Sequence, residues 1–145
     1  MNGDVWTRCK QGHAHWGLYG AAGLFIIADS DDSVLLQRRA LWSHHGGTWG
    51  IPGGARHSEE SASIAAIREA TEETGVDAAH LRITGEHTAD HGGWSYVTVL
   101  ARCLAPLPVR TCGESIAVKW VSLDALDSFD LHPGLRASLA ALRAA

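Results

Sequence analysis

Apolar and polar residues along this chain fall into short blocks that predict strands first and helices later. From Ala21 the run Ala22-Gly23-Leu24-Phe25-Ile26-Ile27-Ala28 is continuously apolar and too short for a helix, the pattern of a buried strand. The cluster Asp29-Ser30-Asp31-Asp32 is turn chemistry, and Ser33-Val34-Leu35-Leu36-Gln37-Arg38-Arg39 returns as a second strand, so the two predict a hairpin. Residues 43–57 are dense in Gly and His and predict loop, broken by the extended piece Trp49-Gly50-Ile51. A helix is predicted over residues 58–74, with Ser58 as N-cap, Glu59 and Glu60 at the positive end of its dipole, and Gly75 as the C′ glycine. On its wheel Ile64, Ile67 and Thr71 form the face expected to be buried.

Further strands are predicted at residues 81–87, 95–103 and 116–121, the last with Val118 and Trp120 on one face. Residues 123–126 predict a short helical turn. A final helix follows Pro133, with Leu135, Leu139 and Leu142 along one side. The order strand, strand, helix, strands, helix predicts an α+β class, an α/β/α sandwich.

Composition narrows the function more than the fold. The chain has 145 residues, one domain's worth, with 46% hydrophobic and 19% charged residues, which excludes bulk disorder. Twelve Lys and Arg against sixteen Asp and Glu give a net charge of −4, with no basic run. That argues against a duplex nucleic acid or an anionic membrane as partner. A polyanionic small molecule stays in play, because a metal ion supplies positive charge. Cys9, Cys103 and Cys112 are odd in number and form no CxxC pair, so neither a disulfide framework nor a four-cysteine zinc site is expected. Cys9, His13 and His15 lack a fourth ligand for zinc. No signal-like or membrane-length apolar segment appears, so the expected location is cytoplasmic.

The candidate chemistry lies on the central helix. Glu69, Glu72 and Glu73 stand at i, i+3 and i+4, on one arc of roughly 100°. Like charges at this spacing destabilise an isolated helix, so stability alone does not select them. Hard carboxylate oxygens on a rigid element suit Mg²⁺ or Mn²⁺. Arg68 lies four residues before Glu72 and is placed to hold a carboxylate. Ahead of the helix, Pro52-Gly53-Gly54 allows backbone to approach a phosphate or a metal closely. Taken alone, an E-x-x-E-E run is more often a solvated face.

From Gly54 the chain reads Gly, five residues, Glu60, seven residues, Arg68-Glu69-Ala70, one residue, Glu72-Glu73, one residue, Gly75-Val76. This resembles the Nudix box, the signature of hydrolases that act on a nucleoside diphosphate linked to another group. All seven fixed positions match, and Ala70 is a mild departure at an aliphatic one. The resemblance implies the Nudix fold, a mixed β-sheet flanked by helices, over a domain of residues 19–145, with residues 1–18 as an N-terminal extension. It implies Glu69, Glu72 and Glu73 as metal ligands with the Gly54 carbonyl, and Arg68 as the residue orienting Glu69. Glu60 is more often structural in the family. Glu114, six residues before Trp120, resembles a remote glutamate that adds a ligand or a base in triphosphate-cleaving relatives. Either Glu69 or Glu114 is then the general base. Mg²⁺ is the implied cofactor, with Mn²⁺ as the alternative; it neutralises phosphate charge and acidifies a water.

Substrate signals are thinner. The proline marking ADP-ribose hydrolases is replaced by Gly92, the tyrosine of dinucleoside-polyphosphate relatives is displaced to Tyr96, and the coenzyme A signature is incomplete. These absences favour a nucleoside triphosphate, with an oxidised one such as 8-oxo-dGTP as example, over ADP-ribose or a nucleotide sugar. A non-catalytic nucleotide-binding regulator is disfavoured because the box keeps its acids. Gly53, Arg38, Trp94 and Tyr96 are the expected substrate-binding residues, the two aromatics by stacking on a base. His44, His45, His87 and His91 flank the expected cleft. The expected partner is a small-molecule nucleotide, with a homodimer left open.

Overall fold

The computed structural model of the protein describes residues 6–8, 14–16, 19–43, 45–90, 94–112 and 115–145, the first two segments as backbone only. In the N-terminal segment, β1 (Trp6–Arg8) and β2 (Ala14–Trp16) pair antiparallel, a small sheet that the polar sequence there did not announce. The main sheet is built around β3 (Ala21–Ala28), which is buried at every position. It forms the predicted hairpin with β4 (Ser33–Arg39) at Ile27↔Val34 and Ala28↔Ser33. The two strands then diverge. β5 (Trp49–Gly50) continues the ladder on β4, and β6 (Gly53–Ala55) pairs with β3 through Ala21↔Ala55 to Gly23↔Gly53. The expected loop thus contains a second short strand.

On its other side β3 runs parallel to β8 (Ser95–Cys103) over its whole length, with β7 (Arg82–Asp90) antiparallel beyond it. β9 (Ser115–Ser122) pairs antiparallel with the far side of β4. The strand period of two sorts side chains onto the two faces. Ala22, Leu24, Ile26, Leu35, Val97, Val99 and Ala101 form one core with helix α1 (Ala62–Thr74). Phe25, Ile27, Val34, Leu36 and Leu100 form the other with Leu135, Leu139 and Leu142 of α2 (Pro133–Ala144). A sheet buried on both faces requires such a helix layer on each. The sandwich is the expected one, and so are the 3-10 turn at Leu123–Ser128 and the common face of Val118 and Trp120.

Two local expectations are corrected. α1 starts at Ala62, not near Ser58, because Glu59 sits at φ 65, in the left-handed region where no helix begins. Ser61 is the N-cap, its hydroxyl accepting the Ile64 N–H. Gly75 ends the helix as expected, at φ 70 with its N–H on the Thr71 carbonyl.

The buried face differs in part, although Ile67 packs against the core as expected. Ala62, Ala65, Ala66, Ala70 and Thr74 face the sheet, while Ile64 is 61% exposed and Thr71 is exposed. At about 100° per residue, Glu73 falls within roughly 20° of Ala62 and Glu69 on its other side. The acids therefore share the sheet-facing arc, and small alanines let the helix lie close enough for them to reach the strands.

Among the described residues, no helix is long and apolar enough to cross a membrane.

Candidate active site at the junction of β6 and α1

Two carboxylates of α1 are set against the glycines of β6. The Glu69 carboxylate lies where a Gly54 side chain would be: a Cβ there would stand 2.7 Å from its Cδ. Glu73 Oε2 accepts the Gly53 N–H at 3.2 Å. Gly53 is itself pressed on β3, since a Cβ would meet the Ala22 oxygen at 2.6 Å. The glycine pair, expected from sequence to let backbone approach a ligand closely, is a strand whose missing side chains make room for acids. Glu72 lies outside this contact, 61% exposed, with Oε2 3.7 Å from Arg68 Nη1.

Arg68 is fixed from three directions. Its Nε and Nη2 donate to the Glu60 carboxylate at 2.9 and 3.0 Å, Nη1 donates to Glu69 Oε1 at 2.8 Å, and Nη2 also reaches the Ala55 carbonyl at 3.1 Å. Glu60 accepts the His57 N–H as well. The Arg68 hydrogen bonds, helped by that of His57, hold the Glu60 carboxyl down at about 2. Glu60 in turn is the main reason the Arg68 guanidinium is held charged. The planar fork spans helix, loop and strand at once, which a lysine cannot do.

Gln37 is a participant that the sequence reading passed over. It is 6% exposed, and its Nε2 donates to Glu73 Oε1 at 2.8 Å while its Oε1 accepts the Ser115 hydroxyl at 2.7 Å. The signal was available: on β4 it has the parity of Leu35, which packs on the α1 side, so a polar residue there must find a partner near α1.

Electrostatics at Glu73 describe a site short of positive charge. Burial, followed by the nearby Glu69, pushes its carboxyl up to about 8 against the opposing effects of Gln37, the Gly53 N–H and Arg39. Tyr96 is raised as well, by burial first and by Glu73 second; its hydroxyl lies against Gly23 and Gly53. Among the described residues no three His, Cys, Asp or Glu side chains stand grouped as a complete metal cage. Magnesium does not require one, because one or two carboxylates with water and substrate phosphates suffice. The donor set of Glu69, Glu73 and backbone, with Glu72 at the rim, fits such a hard cation.

The other expected site residues are distributed unevenly. Arg38 donates through Nε to the Gly47 carbonyl at 3.0 Å, bracing the loop between β4 and β5. Trp94 is 8% exposed and packs with Ala21 and Tyr96, so its faces are turned into the fold. Glu114, together with His44, His91, Cys9 and His13, lies outside the described residues. His45 packs edge-on against His132 at 4.8 Å, beside the start of α2. A separate cavity lined by His80, Arg82, Leu104 and Leu107 contains none of the α1 acids.

Residues 18–142 match the NUDIX domain family. A Mycobacterium tuberculosis protein named "Putative 8-oxo-dGTP diphosphatase 3" is 44% identical over 153 aligned positions, covering 99% of this chain and 70% of its own length. A Bifidobacterium longum fusion of a nucleoside triphosphate pyrophosphatase and a Nudix hydrolase is 38% identical over 130 positions, 84% of this chain but only 27% of that protein. The crystal structure of RenU, a Nudix hydrolase from M. smegmatis, superposes with a TM-score of 0.90 at 40% identity, covering 97% of this chain and 93% of that one. A C. elegans Ap4A hydrolase gives 0.70 at 26% identity, over 86% and 96%. With its box, its mixed sheet between helices and these relatives, the chain belongs to the NUDIX hydrolase family.

Proposed function

We propose that the protein hydrolyses the pyrophosphate linkage of a nucleoside triphosphate, releasing monophosphate and pyrophosphate, with an oxidised purine nucleotide such as 8-oxo-dGTP as the leading substrate. The observation that carries this reading is the pair Glu69 and Glu73, turned together onto the Gly53–Gly54 strand with Glu69 in the grip of Arg68. The name of the M. tuberculosis relative supports the substrate class.

In this reading Glu69, Glu72 and Glu73, with the Gly54 carbonyl, would hold Mg²⁺ or Mn²⁺, and Glu114 would add a further ligand. A divalent cation bound there supplies charge neutralisation on the phosphates and a more acidic water. Glu69 or Glu114 takes the proton of the attacking water. Arg68 keeps one Glu69 oxygen engaged and so fixes the direction of the other. Gly53 and Arg38 line the approach of the phosphates, and Tyr96 borders it beside Glu73. Water attacks the phosphorus next to the nucleoside, and the bridging oxygen leaves with pyrophosphate. The catalytic unit is residues 19–145, with residues 1–18 as an extension.

The test is a panel of 8-oxo-dGTP, dGTP, a diadenosine polyphosphate, ADP-ribose and a nucleotide sugar with Mg²⁺ or Mn²⁺, run in ¹⁸O-labelled water. The expected result is turnover of a triphosphate, with pyrophosphate released and label in the nucleoside monophosphate. Label confined to orthophosphate, or turnover of ADP-ribose with none of any triphosphate, overturns the reading.

A further inference from the structure

We propose that Gln37 is a positioning residue for the reaction: a buried carboxamide that ties Glu73 on α1 to Ser115 at the start of β9 and so sets the direction in which Glu73 offers its second oxygen. The inference rests on Glu73 acting as a metal ligand. Gln37 lies on β4, opposite Val118 of β9 on one side and Gly50 of β5 on the other. Both ends of its amide are engaged: Ser115 Oγ donates to Oε1 at 2.7 Å, and Nε2 donates to Glu73 Oε1 at 2.8 Å.

The carboxylate decides the orientation. Glu73, once ionised, only accepts, so the NH₂ end of Gln37 meets it and Oε1 is left to take the Ser115 hydroxyl. Turned over, the amide would set oxygen against carboxylate oxygen. The other Glu73 oxygen accepts the Gly53 N–H, so each oxygen has one fixed donor and the carboxylate plane is determined. A side chain on a thirteen-residue helix otherwise keeps its rotamer freedom; here strands β4 and β6 remove it. Outer hydrogen bonds of this kind orient ligating groups, and their loss typically weakens metal affinity about 10–100-fold.

The experiment measures Mn²⁺ affinity by electron paramagnetic resonance, together with kcat, KM and melting temperature, on the full chain. The variants are Gln37→Met, Glu73→Gln, their double combination and Ser115→Ala. Methionine keeps the volume and chain of glutamine but removes both hydrogen bonds. Gln37→Met is expected to weaken Mn²⁺ binding about tenfold and lower kcat similarly, with KM within about twofold. In the Glu73→Gln background the same change is expected to cost no further Mn²⁺ affinity, because its effect runs through Glu73. Should Gln37→Met fail to fold, Ser115→Ala, which removes the anchor at the far end of the amide, is expected to reproduce the loss in weaker form, about two- to threefold. Unchanged affinity in a folded Gln37→Met beside a clear loss in Glu73→Gln overturns the proposal and spares the metal reading. Additive losses overturn it as well, since Gln37 then acts elsewhere. Unchanged affinity in Glu73→Gln removes the metal reading and the proposal together.

Discussion

Glu73 and Arg68 are two residues of one site under opposite electrical conditions. Glu73 sits at about 8 where an ordinary glutamate sits at 4.5, so the folded, metal-free chain holds a proton that the unfolded chain gives up. Its contribution to stability is therefore fullest below pH 4.5 and is lost as pH rises through 8. Glu73→Gln removes that dependence: in chelator, its melting temperature should exceed that of the parent above pH 8 and converge with it near pH 4.5. The same substitution should lower kcat by about 10² in saturating Mg²⁺, because a ligand charge is gone. Stability gained with activity lost marks a residue kept for chemistry.

Glu60 is the reverse case. Its carboxyl, held near 2 by Arg68, stabilises the fold above pH 4.5 and loses that effect as pH falls toward 2. Arg68→Ala should destabilise by about 3 kcal/mol at neutral pH, since it strands a carboxylate that is only 10% exposed. In thermal melts the difference from the parent should shrink over that acid range. Arg68→Lys should not restore it.

At the scale of elements, the β6 glycines separate fold from function. A Gly53 side chain would strike backbone of β3, whereas the atoms nearest to one at Gly54 belong to the end of the Glu69 side chain. Gly53→Ala should therefore lower stability, by about 1–3 kcal/mol. Gly54→Ala should melt near the parent temperature yet lose turnover by about 10², because Glu69 is displaced. Thermal melts beside kcat measurements distinguish the two. The same elements explain what was legible in the sequence. The strands at Ala21–Ala28 and Ser95–Cys103 were plain because both their faces are apolar, and α2 was plain because its leucines are periodic. The spacing of Glu60, Arg68, Glu69, Glu72 and Glu73 carried the site. The sheet-facing side of α1 was misread because apolarity was taken as the guide, and Ile64 outweighs alanine on any such scale. Close approach, not hydrophobicity, selects that face. Gln37 and β6 were missed because each depends on a partner distant in sequence: Gln37 on Glu73 and Ser115, β6 on β3.

For the molecule as a whole, a net charge of −4 and an acidic site mean that, in the proposed reading, a divalent cation would be a structural partner as well as a catalytic one. A cation that binds only the folded chain stabilises it by about 2.7 kcal/mol at a hundredfold excess over its Kd. Mg²⁺ should accordingly raise the melting temperature of the parent by several degrees, and much less in Glu73→Gln. Calorimetry with and without chelator reads this directly. The parallel ladder between β3 and β8 carries a different consequence, one that concerns time. β6 and α1 lie between those two strands in the chain, yet α1 packs on both. During synthesis the acidic helix therefore emerges before half of the surface it rests on exists. Its clustered carboxylates give it little stability of its own. Pairing distant strands is slow compared with local folding. The helix is thus expected to be recruited by a closing sheet, with the candidate site among the last parts of the nascent chain to take shape.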